Sequence, residues 1–504
     1  MSGDNPCAVT PFGRFIGRYE TGVGVFRGIR YAQPPVGERR FRKPVEMPLD
    51  HGDIDAGEDG PIPPQLPSRL ENAMGPFPAP QGEDCLRLTI WVPPNLENNG
   101  LADNVLPVLV WFHGGAFTTG AGSLPCYSGL HFCRTERVIV VAVNSRLGPL
   151  GYARIKGLSE GNLGLHDQLA SLRWIQRCIA GFGGDPGNVT IAGQSAGAFA
   201  VLALAVMKQA RGLFQRAIVQ SARLGLDPDS SERAEARGQV LIDAVASGRI
   251  DAMREVTVDG ILAANAVVAR RFSGGPGVSS APYYPCVDGE LIHRSLLEAV
   301  TEGHASDCAM IAGYTREECT VFSLIDPALK QLTLEDLRAI VRPDFGASAD
   351  DVLREYQALR GSGRHPGLLL SDIRTDSQFI GPTLKLADLQ RKAGQQVHLY
   401  QFQWQSPKAE FGSNHCLELP FLFGEHDAWR NAPMFQGVES AATDHIGKTM
   451  RGYWGAFVRT GRPAGPGLLD WPIYDENRVV MCFDRYIAPV VDPVGARWRR
   501  AFNA

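Results

Sequence analysis

The sequence lacks the features that would place a protein in a membrane or on nucleic acid. No run of apolar residues reaches the roughly 18 needed to cross a bilayer, and the longest, from Ala196 to Met207, is predicted to form a buried helix. A net charge of −4 at pH 7 provides no basic field. We therefore expect neither a membrane nor nucleic acid as a partner of this 504-residue chain.

Cysteines with the spacing of a disulfide framework or a metal site are absent as well. The ten cysteines are scattered singly, without a C-x-x-C pair, which is typical of reduced thiols in the cytosol. The N-terminal stretch MSGDNPCAVTPFGRF lacks the basic and apolar regions of a secretory signal. No Cys/His cluster with metal-ligand spacing and no phosphate-binding loop is present, so we expect neither a metal nor an organic cofactor. These absences predict a cytoplasmic protein.

Short apolar runs alternate with longer helical patterns along much of the chain. Runs that are apolar on both faces and separated by helices favour an α/β fold with a mostly parallel sheet covered on both sides. The predicted strands are residues 106–112, 138–144, 188–195, 217–222, 308–315 and 397–404. Because no linker interrupts the chain, we expect one domain over residues 1–504, with an excursion at about 226–300 that covers the active site.

One short stretch, IAGQSAGAFA, raises the question of catalysis. Its residues Gly193 to Gly197 fit G-x-S-x-G, the sharp strand-to-helix turn that presents a serine hydroxyl. The predicted strand before it and the apolar helical pattern after it match this turn, which makes Ser195 a candidate nucleophile. A glycine-rich turn without chemistry is the alternative, since a chain with 56 glycines can produce this spacing by accident.

A serine nucleophile requires partners, and the sequence offers several. The stretch VWFHGGAF follows a predicted strand, and we expect the amides of Gly115, Ala116 and Ala196 to form an oxyanion hole. A tight turn is the alternative for these glycines. The serine also needs a histidine base and a supporting carboxylate, in the chain order serine, acid, histidine. Spacing alone leaves five histidines open: His365, His398, His415, His426 and His445.

Longer motifs narrow this choice. FRGIRYAQPPVGERRFRKP, EDCLRLTIWVP, GNLGLHDQLASLRWIQRCIAGFGGDPGNVTIAGQSAGA, AGYTREEC and NHCLELPFLFG follow one another in this order along the chain. In sequence and order these motifs resemble the type B carboxylesterases, which include carboxylesterases and cholinesterases. The resemblance runs nearly end to end. It implies the α/β-hydrolase fold, with insertions that cover the active site, and a serine carboxylic-ester hydrolase that works through an acyl-enzyme intermediate.

The resemblance also implies which residues act. Position by position, it places the nucleophile on Ser195, the acid on Glu318 and the histidine on His415. Glu317 is the near rival for the acid, but the family's motif puts the functional glutamate one residue later. Ser221 resembles the family's second serine near the site, and packing at a strand end is an equal alternative for it. Neither Cys319 nor Cys416, which stand where the family usually has small residues, is expected to be a nucleophile.

The same resemblance implies which residues have a structural role and where this chain differs from the family's pattern. Arg146 and Asp167 are implied to form a structural ion pair, so neither is a catalytic candidate. Cys85 corresponds to a cysteine that secreted members bridge to a partner, and the partner position here is Pro63, so no disulfide is expected there. A second bridge common in secreted members is also missing, which agrees with the cytoplasmic expectation.

Two further departures bear on the substrate. Gln194 replaces the glutamate that usually precedes the nucleophile, and the loop from Pro64 to Cys85 contains no tryptophan with which cholinesterases bind a quaternary ammonium group. We therefore expect a small-molecule neutral ester rather than a choline ester. Hydrolysis of carbamates or amides, or acyl transfer, would use the same residues and remains open. A non-catalytic interaction protein is the remote alternative, and the sequence leaves the oligomeric state open.

Overall fold

The computed structural model describes residues 5–94, 105–272, 281–305, 307–361 and 363–495. Within these ranges the chain forms the strands β1 (Cys7–Thr10), β2 (Phe12–Ile16), β3 (Arg18–Glu20), β4 (Val23–Arg30), β5 (Asp50–Asp55), β6 (Arg87–Val92), β7 (Leu106–Phe112), β8 (Ile139–Val143), β9 (Arg154–Ile155), β10 (Ser159–Glu160), β11 (Gly184–Gln194), β12 (Arg216–Gln220), β13 (Ala309–Thr315), β14 (Val397–Phe402), β15 (Val479–Phe483) and β16 (Ala488–Val491). Eleven of them form one sheet in the order β16-β15-β14-β13-β12-β11-β7-β8-β6-β4-β3.

The centre of this sheet is parallel. From β8 through β7 and β11 to β15, each strand pairs in parallel with its neighbour. Antiparallel strands close both sides, with β6, β4 and β3 at one edge and β16 at the other. All six strands predicted from apolar runs lie in the parallel part, which confirms the predicted α/β architecture.

Helices pack on both faces of the sheet. Their bounds are α1 (Glu71–Met74), α2 (Leu130–Glu136), α3 (Gly148–Tyr152), α4 (Leu163–Cys178), α5 (Ala196–Val206), α6 (Ser231–Ala246), α7 (Val258–Ala263), α8 (Asn265–Arg271), α9 (Leu296–Thr301), α10 (Thr320–Ile325), α11 (Leu334–Phe345), α12 (Ala349–Arg360), α13 (Pro366–Thr375), α14 (Gly381–Lys392), α15 (Leu419–Phe423) and α16 (Ser440–Thr460). A π-helical turn, Asp376–Ile380, joins α13 to α14. Among the described residues, no helix has the length and apolar character to span a bilayer.

Strand β7 shows why the central strands are apolar on both faces. Successive side chains of a strand point to opposite faces. Val108, Val110 and Phe112 pack into one core together with α4 and α5, whereas Leu109 and Trp111 pack into a second core with α15 and α16. Both cores exclude water, so every position of β7 must be apolar.

The predicted ion pair between Arg146 and Asp167 is present and buried. Nε and a terminal nitrogen of Arg146 donate to the two oxygens of Asp167 at 2.8 and 2.6 Å. The side chains are 4% and 0% exposed. A further guanidinium nitrogen donates to the Arg42 carbonyl at 2.7 Å. This bidentate pair compensates both buried charges and connects the turn before α3 to α4.

His398 on β14 makes the fold sensitive to acid. Burial lowers the pKa of His398 to about 4 from an ordinary value of 6.5, against a smaller opposing effect of the backbone at Pro472 and Trp471. Below pH 6.5 the unfolded chain binds a proton that the folded chain accepts only near pH 4, so stability falls as the pH decreases through this window. We expect this side chain to reduce the free energy of unfolding by about 2 kcal/mol between pH 8 and pH 5.

Urea unfolding of His398→Leu at these two pH values checks this expectation. The variant should lose about 2 kcal/mol of the stability difference that the wild type shows between them. His293→Leu, which removes an exposed histidine, should keep the wild-type difference. An unchanged difference in His398→Leu would show that this side chain is not the acid-sensitive group.

Candidate active site

Ser195 occupies the turn between β11 and α5. The strand ends at Gln194, the helix begins at Ala196, and Ser195 has φ of 59° and ψ of −122°. A positive φ is uncommon for a residue with a side chain and marks a strained turn. The strand, turn and helix predicted around G-x-S-x-G are therefore present.

Two glycines make room for this turn. A Cβ atom at Gly197 would lie 2.0 Å from the carbonyl oxygen of Phe112, and one at Gly193 would lie 2.5 Å from the carbonyl carbon of Gly197. These are backbone atoms of adjacent elements, which cannot move aside without disturbing the sheet. The turn therefore requires glycine on either side of Ser195.

His415 and Glu318 form a buried hydrogen-bonded pair. Nδ1 of His415 donates to Oε2 of Glu318 at 2.5 Å, although the two residues lie 97 positions apart in sequence. Their side chains are 1% and 0% exposed. The backbone N–H of Thr315 donates to Oε1 of Glu318 at 2.8 Å and orients the carboxylate. The loops that follow β13 and β14, two neighbouring parallel strands, thereby bring these side chains together.

The rival carboxylate, Glu317, is engaged elsewhere. Its Oε2 accepts the backbone N–H of Ser413 at 2.7 Å, and its own N–H donates to the Ser413 carbonyl at 2.9 Å. Arg316 lies 3.6 Å from the same carboxylate oxygen. Glu317 therefore holds the loop that precedes His415, whereas Glu318 contacts the imidazole ring.

Gln194 binds the other ring nitrogen of His415. Its amide nitrogen lies 3.3 Å from Nε2, and its amide oxygen accepts from the Cys416 thiol at 3.6 Å. Ser195 and His415 line the same cavity, but among the described residues the Ser195 hydroxyl makes no hydrogen bond to the ring. When Nδ1 of His415 carries the proton, Nε2 has a single lone pair. The Gln194 amide and the Ser195 hydroxyl are therefore alternative donors to Nε2.

The three amides predicted for the oxyanion hole line this cavity as well. Gly115 and Ala116 have φ of 116° and 54°, and a Cβ at Gly115 would lie 2.0 Å from the Thr119 carbonyl oxygen. Within the part of the chain that the structure describes, the N–H groups of Gly115, Ala116 and Ala196 donate to no protein acceptor. The structure thus gathers all six predicted site residues around one cavity or directly behind its wall.

The cavity has a volume of about 610 Å³ and a largely apolar lining. The rings of Phe322 and Phe379 pack against the His415 ring, with centroids 5.5 and 5.2 Å away. Such a wall excludes water and strengthens electrostatic interactions inside the cavity. In the described ranges, no three His, Cys, Asp or Glu side chains are grouped so that they could hold a metal ion.

The two cysteines beside the site are thiols at neutral pH. Burial raises the pKa of Cys319 to about 12 and also raises the pKa of Cys416 well above its ordinary value. Because the thiolate is the reactive form, this agrees with the expectation that neither acts as a nucleophile. Ser221 is buried after β12, and within the described residues its hydroxyl forms no hydrogen bond to the site.

Sequence reasoning missed Glu418, a second carboxyl group near the site. It is fully buried, three residues after His415. Burial, together with the negative charge of Glu318, raises the pKa of Glu418 to about 7. A signal was available, because a glutamate between Leu417 and Leu419 in an apolar run indicates a buried charge.

Comparisons with known proteins agree with this geometry. A sequence profile of the Carboxylesterase family matches residues 4–487. Para-nitrobenzyl esterase of Bacillus subtilis (strain 168) is 33% identical over 503 residues, with 98% of each chain covered. A Rhodococcus erythropolis protein named "Probable N-octanoylanthranilate hydrolase AqdA2" is 37% identical over 469 residues, covering 92% of this chain and 94% of that protein. Carboxylesterase EST55 of Geobacillus stearothermophilus superimposes with a TM-score of 0.85 at 33% identity, covering 98% of this chain and 99% of that chain.

The parallel sheet, the serine turn and these likenesses define an α/β-hydrolase. The chain belongs to the Carboxylesterase family. It is a carboxylic-ester hydrolase, and its family implies small-molecule ester substrates. The resemblance drawn from the sequence motifs is confirmed.

Proposed function

We propose that this enzyme hydrolyses neutral carboxylic esters through an acyl-enzyme, with Ser195, His415 and Glu318 as its catalytic triad. The observation that carries the proposal is the buried hydrogen bond from Nδ1 of His415 to Glu318, in a ring that shares its cavity with the strained turn at Ser195. That bond keeps the proton on Nδ1 and leaves Nε2 as an acceptor. An acceptor at Nε2 is the state that a base for the serine hydroxyl requires.

The proposed reaction has two stages. The Ser195 hydroxyl replaces the Gln194 amide at Nε2 of His415, loses its proton to the ring and attacks the ester carbonyl carbon. The imidazolium, stabilised by Glu318, then passes this proton to the departing alcohol oxygen as the C–O bond breaks. In the second stage a water molecule gives a proton to the same ring and attacks the acyl carbon. The ring then passes this proton to the Ser195 oxygen as the bond between that oxygen and the acyl carbon breaks, which releases the acid.

We propose that the N–H groups of Gly115, Ala116 and Ala196 bind the oxyanion that forms during both stages. Their support is their common position on the cavity wall and their lack of a protein acceptor among the described residues. Fixed donors of this kind stabilise charge that develops only in the transition state. Loss of one such donor typically lowers turnover by on the order of a hundredfold or more.

Two features favour neutral esters over choline esters. Residues of the loop from Pro64 to Cys85 line the cavity, and this loop contains no tryptophan. A tryptophan face would attract a desolvated quaternary ammonium by up to about 2 kcal/mol. Gln194 is neutral where a carboxylate would add further attraction for a cation. A cationic alcohol group therefore gains little in this cavity.

We propose that residues 1–504 form one domain and that the excursion at about 226–300 covers the site. Asn265, Ala281 and Tyr284 of this excursion line the cavity, which supports the assignment, and residues 273–280 lie outside the described ranges. We further propose that the enzyme works in the cytoplasm. All ten cysteines, Cys85 among them, are free thiols, as a reducing compartment favours.

Hydrolysis of amides by the same residues is the second candidate. One relative, 37% identical over most of its length, carries a name that describes an N-acyl substrate, which is an amide. The chemistry differs from ester hydrolysis mainly at the leaving group, which is a poorer one and must receive its proton from His415. Ester hydrolysis remains the primary proposal because the amide assignment depends on that one name.

Labelling with a fluorophosphonate tests the proposal directly. We expect one adduct per chain, located at Ser195 by peptide mass spectrometry, because the proposed base and oxyanion donors activate that hydroxyl alone. Labelling of Ser195→Ala should be lost. An adduct on another residue, or unchanged labelling of the variant, would contradict the proposed nucleophile.

A further inference from the structure

Two arginines lie on the wall of the cavity that contains Ser195. Arg223 follows β12, which pairs in parallel with β11, and β11 leads directly into Ser195. The carboxyl ends of parallel neighbours meet at one edge of a sheet, so Arg223 and Ser195 approach the cavity from the same edge. Arg69 reaches this wall from the loop that runs to Cys85, and it is exposed to solvent, whereas Arg223 is partly buried.

Arg223 is held in a fixed orientation. Its Nε donates to Oε1 of Gln378, in the π-helical turn, at 2.7 Å. Two residues later the backbone N–H of Gly225 donates to the Gln378 carbonyl at 3.0 Å. A Cβ atom at Gly225 would lie 2.4 Å from the Ser377 carbonyl oxygen, so the loop presses closely on this turn. A guanidinium group is planar, and the Nε bond therefore sets the plane in which its other N–H groups point.

Two other arginines act electrostatically on Arg223. Burial, together with the neighbouring cations Arg374 and Arg69, lowers the pKa of Arg223 to about 10, so the group stays protonated at neutral pH. Arg374 is itself bound to Asp344 at 2.7 Å. Among the described residues that line the cavity, Glu71 is the one with an acidic side chain. Like charges on a partly desolvated wall repel one another, and an anion bound at the wall would offset that cost.

We propose that Arg223 is a specificity-determining residue that binds a carboxylate group carried by the ester substrate. This proposal rests on the proposed function and extends it from neutral esters to esters that bear one carboxylate. A guanidinium fork matches a carboxylate with two parallel hydrogen bonds, a match that a neutral ester of the same shape cannot offer. Arg69 adds longer-range attraction from the exposed side of the same wall.

Paired esters that differ only in charge test this proposal. Mono-p-nitrophenyl glutarate places the carboxylate on the acyl part, and its isostere carries an isopropyl group in that position. Acetylsalicylate places the carboxylate on the alcohol part, and ortho-isopropylphenyl acetate is its isostere. Arg223→Gln should lower kcat/KM about 10- to 100-fold for the charged member of at least one pair, and less than about threefold for both isosteres.

Two variants serve as controls. Arg211→Gln removes the same charge at an exposed position away from the cavity and should leave both pairs unchanged. Arg223→Lys keeps the charge but loses the fork, so it should recover part of the preference for the charged ester. If Arg223→Gln does not fold, Arg223→Lys carries the test through its loss of preference relative to the wild type.

The outcomes separate this proposal from the one on which it depends. Equal losses for charged and neutral esters in Arg223→Gln, or unchanged values for all four, would overturn the role of Arg223 while the triad stands. Hydrolysis of the neutral isosteres that persists in Ser195→Ala would overturn the proposed function instead. A charge-selective loss in one or both pairs supports the assignment and shows which part of the ester faces Arg223.

Discussion

Replacement of Ser195 by alanine is expected to lower kcat for p-nitrophenyl acetate by about 10⁴- to 10⁶-fold. In the proposed mechanism this hydroxyl forms the covalent bond to the acyl group, and the thiols of Cys319 and Cys416 cannot replace it, because burial keeps them protonated. The residual rate would come from the oxyanion donors and from substrate binding. Stopped-flow or long-time absorbance assays of p-nitrophenol release measure the change.

Ser247→Ala is the matched control for this variant. Ser247 also has a positive φ, 50°, but it is an exposed residue at the end of α6. A serine-to-alanine change there also places alanine at a positive φ, and it leaves the cavity unchanged. It should leave kcat within about twofold of the wild type, since exposed substitutions away from such sites have small effects. A Ser195→Ala enzyme that folds and keeps more than a tenth of the activity would refute the mechanism.

Glu318→Gln should lower kcat by about 10⁴-fold. A glutamine amide can donate to Nδ1 of His415, which stabilises the tautomer with its proton on Nε2. That nitrogen would then be unable to accept the proton of Ser195. The variant also loses the negative charge that stabilises the imidazolium. Because glutamine has the same shape, the hydrogen bond from the Thr315 backbone to the side-chain oxygen can persist, and the fold should be retained.

Glu317→Gln provides the comparison within the same dipeptide. Its carboxylate binds the Ser413 backbone rather than the His415 ring, so we expect less than a tenfold loss of kcat. Thermal unfolding of both variants separates structural from catalytic effects. Equal losses of kcat in the two variants, or a larger loss in Glu317→Gln, would show that Glu318 does not have the role proposed for it.

Much of the central fold could be predicted from the sequence, because each parallel strand is buried on both faces and appears as an uninterrupted apolar run. The bounds of β7, predicted as residues 106–112, coincide with Leu106–Phe112. The outermost antiparallel strands, β3 and β16, contain no such buried run. β3 and β16 contain partly exposed positions and charged or proline residues, so their pairing depends on contacts distant in sequence.

The candidate site likewise contains residues that the sequence could predict and residues that it could not. The turn at Ser195 has a local signal, since glycine spacing reflects the steric demands measured at Gly193 and Gly197. His415 has none, because one histidine among several gains its position only when neighbouring strands bring two distant loops together. Only the resemblance to known motifs selected it. The contact between Gln194 and the ring could not be foreseen, because it depends on the rotamer of a buried side chain.

The π-helical turn Asp376–Ile380 supports both the proposed imidazole base and the proposed carboxylate-binding arginine. It carries Phe379 against the His415 ring and Gln378 against Arg223. Such a turn holds about one residue more than an ordinary helical turn. Deletion of that extra residue would turn both side chains by about 100° around the helix axis. Insertions and deletions here during evolution would therefore alter the alignment of the imidazole and the tolerance for substrate charge in a single step.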